Sequence, residues 1–276
     1  MYKVAIIGGS DPSIQELVHQ AQALYPGKIE FLVFDNKENI GSESDWTFYG
    51  YDTIMEAADA GTAMAYDGKV DILLKGIITT HDLLKAILNK NHSLKERDLL
   101  SHVALLQLAD LDRPLLLTDA AMNISPNEEE LVKIIENAEE IAKKIGIMCP
   151  KIALLSSAEN FNSKMPSSVL ARNVTQQLSH ASEAIVYGPL SLDLAVSKMA
   201  VEKKRFQAPI MGDADILVVP TIDVANVLYK SLLLFSKVRI GGCLVGTKVP
   251  VVITSRTDLL ENKLFSLKFA IDQLNY

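Results

Sequence analysis

The sequence predicts an α/β protein with largely parallel sheets that are covered by helices. Short, uninterrupted apolar runs alternate with amphipathic stretches from end to end of the 276 residues. Such runs are typical of parallel strands buried on both faces. Hydrophobic residues make up 49% of the chain, which is enough for a large core. The length favours two α/β lobes over one.

The individual elements follow from the spacing of apolar residues. Strands are predicted at residues 4–7, 29–34, 70–74, 114–117, 152–155, 184–187, 216–219 and 249–254. Helical spacing predicts helices at about 14–24, 83–88, 94–108, 131–145, 224–236 and 258–274.

A strong helix start divides the chain. Ser125 is predicted as the N-cap, Pro126 suits the first turn, and Glu128 completes a capping box. We therefore expect residues 1–124 plus 242–276 to form the first lobe and residues 125–241 the second.

Charge and cysteine content exclude several classes of protein. The net charge of −7 argues against a general nucleic-acid binder, which needs a basic surface. Cys149 and Cys243 form no CxxC pair, so neither a disulfide framework nor a zinc site is expected. The N-terminus lacks signal-peptide features and no apolar stretch is long enough to span a membrane. A cytoplasmic protein without a membrane segment is expected.

Two weak patterns have structural interpretations. Gly8 and Gly9 follow the first strand and Asp35 ends the second, as in dinucleotide sites, but the full GxGxxG pattern is absent. A tight strand-to-helix turn is the favoured interpretation. The histidine spacing matches no metal-binding motif, so no metal is expected.

One candidate site lies after the strand at 70–74. Lys75 and Gly76 end that strand, Thr79 and Thr80 begin a helix, and Lys85 follows about one turn later. Helix N–H groups, hydroxyls and a lysine at the carboxyl end of a parallel strand form a reasonable anion cradle. An ordinary capped helix explains the same spacing equally well.

A second candidate site lies near the C-terminus. Ser255 and Arg256 directly follow an apolar strand, and arginine can bind two phosphate oxygens at once. A neighbouring carboxylate could act as a base or hold the arginine. In the structural alternative, Asp258 begins a capping box with Glu261 and Arg256 pairs on the surface.

Together these segments resemble the phosphate acetyltransferase/phosphate butyryltransferase family, and its butyryltransferase branch in particular. No single block is specific, but the blocks share the family's order and spacing from about residue 70 to 267. They are residues 73–85, 100–104, 117–126, 150–155, 162–166, 187–197, 212–220, 226–230, 246–250 and 254–256.

The resemblance implies two α/β/α lobes with the active site in the cleft between them, and a homodimer. It implies that coenzyme A (CoA) is a substrate, with no metal or redox cofactor. The implied reaction is acyl-CoA + phosphate ⇌ acyl phosphate + CoA by direct transfer. Branch similarity favours butyryl or a branched equivalent as the acyl group.

The resemblance also implies roles for residues near the C-terminus. Arg256 would bind the phosphoryl group and Ser255 would assist at the carbonyl. The acetyltransferase branch has a presumed catalytic aspartate six residues after this arginine, where this chain has Asn262. The base is therefore left open between Asp258 and Glu261.

Further matches and departures concern substrate binding. Asn226, Tyr229 and Lys230 fall in a matching block and are candidate substrate-binding residues. Lys85 replaces a usual arginine, and Ala225 a common glycine. These departures leave open a catalytically weakened relative that binds CoA or an acyl phosphate. A dehydrogenase of similar architecture is a further alternative, against which the missing glycine fingerprint counts.

Overall fold

The computed structural model describes residues 1–39, 45–179, 183–254 and 258–275. Their contacts divide the chain into two compact units. The first unit comprises Met1–Asp98 and Gly241–Leu274, and the second contains Leu99–Ile240. The α/β class predicted from the sequence is confirmed in both units.

The first segment of the first unit alternates strands and helices. Its elements are β1 (Tyr2–Ile7), α1 (Pro12–Leu24), β2 (Ile29–Asn36), β3 (Thr47–Tyr51), α2 (Ile54–Tyr66), β4 (Ile72–Lys75) and α3 (Thr80–Ile87), with a 3₁₀ turn at Lys37–Asn39.

The second unit is built in the same way from one continuous segment. Its elements are β5 (Ser101–Leu108), β6 (Leu115–Thr118), α4 (Glu128–Lys144), β7 (Lys151–Leu155), α5 (Pro166–Leu178), β8 (Ile185–Leu190), α6 (Leu192–Val196), α7 (Lys198–Lys204), β9 (Ile216–Val218) and α8 (Ile222–Phe235).

The chain then returns to the first unit. Strand β10 (Val238–Val245) begins in the second unit and ends in the first, followed by β11 (Val251–Val252) and α9 (Leu260–Asp272). The strands of the first unit lie in the order β3-β2-β1-β4-β11-β10. All neighbours are parallel except β10 and β11.

The strand order of the first unit explains its helix layers. The chain moves outward from β1 to β2 through α1 and returns from β3 to β4 through α2. Because such crossovers are right-handed, this reversal places α1 and α2 on opposite faces of the sheet. Accordingly, α1 packs with α9, whereas α2 packs with α3.

The strands of the second unit lie in the order β5-β6-β9-β7-β8, with only the β5–β6 pair antiparallel. Helices α4 and α5 pack together against these strands. A separate apolar cluster includes residues of α6, α7 and α8 together with alternate strand residues such as Ala153, Leu155 and Leu217. The alternation shows that both faces of these strands are covered.

Two predictions about local structure are wrong. Residues 101–108 of the predicted 94–108 helix form β5, in which Ala104 pairs with Leu117 of β6. Leucine and alanine suit a helix, and it is pairing with β6 that makes this run a strand. Helix α4 is capped by Asn127 in a capping box with Glu130, not by Ser125 with Glu128.

The two compact units have bounds other than those of the expected lobes. They divide after Asp98 and after Ile240, whereas the lobes were expected to divide after residues 124 and 241. The strands β5 and β6 pair with each other, and β6 pairs with β9. These pairings join residues 101–118 to the second unit.

Candidate functional site

A small cavity in the first unit lies at the carboxyl ends of three parallel strands. Lys75 ends β4, Thr254 follows β11, and Ser13 lies in the first turn of α1 after β1. Ligands of parallel α/β sheets bind at this edge. The cavity has a volume of about 60 Å³ and is called the lysine cavity below. It is lined by Asp11, Ser13, Ile14, Lys75, Gly76, Ile77, Thr254 and Lys263.

Close backbone approach forms one wall of the lysine cavity. The Gly76 N–H donates to the Ile7 carbonyl at 2.9 Å, and the Ile77 N–H donates to the Gly8 carbonyl at 2.7 Å. A Cβ on Gly76 would lie 1.8 Å from the Gly8 oxygen. Gly8 itself has a φ of +80°, so the predicted tight turn after β1 is confirmed.

Asp35 stabilises this turn. Its carboxylate accepts hydrogen bonds from the Ser10 N–H at 3.0 Å, the Asn36 N–H at 2.7 Å and the Asn39 side-chain amide at 3.0 Å. Asp35 is 2% exposed. These contacts give the carboxylate a structural role in holding the turn after β1.

Two lysines line the lysine cavity. Lys75 is 7% exposed and Lys263, on α9, is 4% exposed. The Lys263 Nζ donates to the Ser13 Oγ at 2.7 Å, and the Lys75 Nζ lies 3.5 Å from the Gly76 carbonyl. Two ammonium groups in the lining add positive charge to the lysine cavity, which favours a bound anion.

The remaining candidates after β4 do not line the lysine cavity. Thr79 caps α3: its Oγ1 accepts from the Asp82 N–H at 3.0 Å and donates to the Asp82 carboxylate at 2.7 Å. Thr79, Thr80 and Lys85 are exposed. Lys75 and Gly76 therefore line the cavity, whereas Thr79 caps an ordinary helix.

A larger pocket lies at the carboxyl ends of strands in the second unit. It has a volume of about 610 Å³, within the range of small-molecule sites. Most of its lining is apolar, and it is called the apolar pocket below. The lining residues are Leu155, Ser156, Ser157, Ser167, Leu192, Pro220, Asp223, Val224, Val227, Leu228 and Ser231.

Helix α8 contributes one face to the apolar pocket. Its lining residues recur at helical spacing from Asp223 to Ser231. The sequence candidates Asn226, Tyr229 and Lys230 lie on the same helix but are not lining residues. Asn226 and Lys230 are exposed, and Tyr229 packs against the apolar cluster of the second unit.

The C-terminal candidates are only partly described. Ser255 and Arg256 lie outside the described residues. Helix α9 begins after Leu259 without a side-chain cap, so the predicted capping box of Asp258 with Glu261 is not formed. Asp258 is half-buried and Glu261 is exposed. Asn262, at the position of the family aspartate, is 3% exposed.

Buried titratable groups also occur away from the two pockets. Burial lowers the pKa of His102 on β5, although nearby Asp119 opposes this shift. The Asp119 carboxylate accepts from the backbone N–H groups of His102, Ala121, Met122 and Asn123. Burial raises the pKa of the Cys243 thiol to about 12.

Within the described ranges, no group of three or more histidine, cysteine or carboxylate side chains is placed to hold a metal ion. No helix in the described part of the chain has the length and hydropathy required to cross a bilayer.

Lys263 and Ser13 line the lysine cavity but were not among the candidate residues predicted from the sequence. A signal for Lys263 was present, because it shares a helical face with Leu267, Ala270 and Ile271 at spacings of four, seven and eight. A lysine at such a core-facing position needs a partner. Ser13 had no comparable signal.

The fold and the two pockets define an α/β protein with ligand-sized spaces at its strand ends, one of them cationic. Residues 50–271 match the family described as "Phosphate acetyl/butaryl transferase". The chain therefore belongs to the phosphate acetyl/butyryl transferase family, whose members are acyltransferases.

Individual relatives agree with this membership. A "probable phosphate butyryltransferase" of Bacillus subtilis is 42% identical over 218 residues, which span 78% of the chain and 73% of that relative. A phosphate butyryltransferase of Clostridium acetobutylicum is 34% identical over 279 aligned residues, covering 98% and 92% of the two chains. The crystal structure of a branched-chain phosphotransacylase from Enterococcus faecalis superimposes with a TM-score of 0.97 at 52% identity over the whole of both chains.

Proposed function

We propose that the protein transfers a short acyl group between CoA and inorganic phosphate, with butyryl or a branched group as the preferred acyl chain. The observation that carries this proposal is the family match over residues 50–271. Relatives at 34–52% identity are named phosphate butyryltransferases or a branched-chain phosphotransacylase, which supports butyryl or a branched group as the acyl chain. The alternative function, in which the protein binds CoA or an acyl phosphate without efficient catalysis, is not favoured by these matches.

The chemistry requires no covalent enzyme intermediate. A phosphate oxygen attacks the thioester carbonyl carbon, the carbon–oxygen bond forms, and the carbon–sulfur bond then breaks to release CoA as a thiolate. Negative charge grows on the carbonyl oxygen, where fixed donors stabilise it most effectively. Holding both substrates in position supplies the orientation term.

The residues proposed for this step follow the family resemblance. Arg256 binds the phosphoryl group and Ser255 assists at the carbonyl. Asp258 or Glu261 exchanges the proton with the thiol of CoA. We expect Arg256→Ala to lower kcat by roughly 10²–10³, and Arg256→Lys to recover part of it. A normal kcat in Arg256→Ala would remove this arginine from the mechanism.

The apolar pocket is the proposed binding place for part of acyl-CoA. Its volume of about 610 Å³ and apolar lining suit the pantetheine arm. Asn226 and Lys230 are exposed on the helix that lines the pocket and are proposed to bind polar groups of CoA. Tyr229 supports that helix by packing against the apolar cluster.

The proposed activity needs no metal or redox cofactor, and the proposed setting is the cytoplasm. Two free thiols, Cys149 and Cys243, suit a reducing compartment. A homodimer is also proposed, because Leu234 and Phe235 at the end of α8 are 75% and 85% exposed. A monomer by sedimentation would overturn this part of the proposal.

The test is release of CoA thiol from acyl-CoA in the presence of phosphate. We expect phosphate-dependent release, with kcat/KM for butyryl-CoA at least about tenfold above that for acetyl-CoA, since each methylene contributes roughly 1–3 kcal/mol. EDTA should leave the rate unchanged. Equal efficiency with acetyl-CoA would refute the proposed preference for a longer acyl group but not the acyl transfer itself. Absence of phosphate-dependent release with every acyl-CoA would refute the function.

A further inference from the structure

Lys263 carries a buried charge with little compensation. Its side chain is 4% exposed, and its ammonium has three protons to donate. Among the described residues, the only hydrogen-bond partner of this ammonium is the Ser13 Oγ at 2.7 Å, and no carboxylate forms a salt bridge with it. A buried ammonium in such surroundings is unfavourable unless an anion joins it.

The rest of the lysine cavity adds to this positive charge. Lys75 lines the same space, and among the described lining residues Asp11 is the only one with a carboxylate. One oxygen of Asp11 accepts from the Ser13 N–H at 2.8 Å, where it caps α1. The lining therefore holds two ammonium groups against one carboxylate. The Ser13 hydroxyl accepts from Lys263 and still has its own proton to donate.

The size of the cavity selects a small ligand. Roughly 10–15 Å³ admits one water molecule, so about 60 Å³ has room for a group of a few heavy atoms. A tetrahedral oxyanion fits this space, whereas a nucleotide does not.

We propose that Lys263, Ser13 and Lys75 form the subsite that binds the phosphate substrate, present as inorganic phosphate or as the phosphoryl group of the acyl phosphate. This inference rests on the proposed function and names the residues that hold one of its substrates. Lys263 and Ser13 donate to the phosphate oxygens, and Lys75 adds charge at the end of β4.

The test compares Lys263→Met with Lys268→Met. Both lysines lie on α9, but Lys268 is exposed and pairs with Asp272. We expect Lys263→Met to raise the KM for phosphate by about 10- to 100-fold, the range for one charge-assisted hydrogen bond. The KM for butyryl-CoA should change by less than about twofold. Lys268→Met should leave both constants unchanged.

A binding measurement separates this subsite from the proposed function. Inorganic phosphate should raise the Tm of the wild-type protein and of Lys268→Met, but not of Lys263→Met. A phosphate-dependent Tm that is lost in Lys263→Met would support the subsite even if no acyl-CoA proved to be a substrate. Normal acyl transfer with an unchanged phosphate KM in Lys263→Met would overturn the subsite and leave the function intact.

Two further outcomes are informative. A raised KM for butyryl-CoA with an unchanged KM for phosphate would show that the subsite holds a phosphate of CoA, and would overturn the assignment. If Lys263→Met does not fold, Ser13→Ala tests the same contact. We expect this milder change to raise the phosphate KM by about 2- to 10-fold, as for a neutral hydrogen bond, and an unchanged value would refute the proposal.

Discussion

Gly76→Ala tests the close backbone approach of Gly76 to Ile7 and Gly8, which forms one wall of the lysine cavity. The added Cβ would lie 1.8 Å from the Gly8 oxygen and 2.9 Å from the Ile7 oxygen, whereas real Cβ atoms stay at least about 3.0 Å from such neighbours. Both neighbours are backbone atoms and cannot rotate away. The two segments must therefore separate by more than about 1 Å.

This separation disrupts both hydrogen bonds that join the segments. The Gly76-to-Ile7 and Ile77-to-Gly8 bonds are 2.9 and 2.7 Å long, so an added ångström takes both beyond bonding distance. Each buried group left unsatisfied costs about 1–3 kcal/mol. We expect the free energy of unfolding to fall by about 3–5 kcal/mol, measured by urea denaturation.

Gly27→Ala is the matched control. Gly27 has a φ of +69° with no atom within 4 Å of an added Cβ, so alanine meets conformational strain there but no clash. A loss of about 1–2 kcal/mol is expected. Gly76 has no positive φ and meets the clash alone. A loss in Gly76→Ala no larger than in Gly27→Ala would refute the steric argument.

Three other measurements test separate features of the structure. Burial lowers the pKa of His102 below its ordinary value of about 6.5. The unfolded chain therefore takes up a proton below pH 6.5 that the folded chain does not, and the unfolding free energy should fall by up to about 1.4 kcal/mol per pH unit as the pH drops. A thiol reagent should label exposed Cys149 and not Cys243, whose pKa is about 12, in the native protein at pH 8. Asn127→Ala should reduce stability by about 1 kcal/mol through loss of the cap on α4.

Each of these expectations has a control. His102→Gln should flatten the acidic dependence, and the same substitution at the exposed His19 is the control. Cys149→Ser should abolish native labelling, and any remaining fast label would contradict burial of Cys243. Ser125→Ala should leave stability within about 0.5 kcal/mol, since Ser125 lies outside the capping box of α4.

Helices and strands were predicted correctly where the spacing of apolar residues fits only one type of secondary structure. In α1, Ile14, Leu17, Val18 and Ala21 recur at helical spacing and are all buried. The predicted 94–108 helix failed because leucine and alanine at 99–108 fit either a buried helix or a strand. Only pairing with β6, which is distant in sequence, decides between the two structures.

The candidate site was predictable where a motif lay beside a strand end. Lys75 and Gly76 were found in this way, and both line the lysine cavity. Lys263 was missed because a lysine in a helix is ordinarily solvated, and its burial depends on packing of α9 next to α1. Its contact with Ser13 joins residues 250 positions apart, which no local pattern reveals.

The first unit is completed by residues that are translated after Leu99–Ile240 of the second unit. Strand β11 pairs with β4, and α9 packs with α1, yet about 140 residues of the second unit are translated between these partners. At ordinary ribosome speeds of roughly 5–20 residues per second, this interval lasts about 7–28 s. During that time the nascent first unit carries an unpaired β4 edge and an uncovered apolar face. The second unit, continuous in sequence, has all its strands earlier and can fold first.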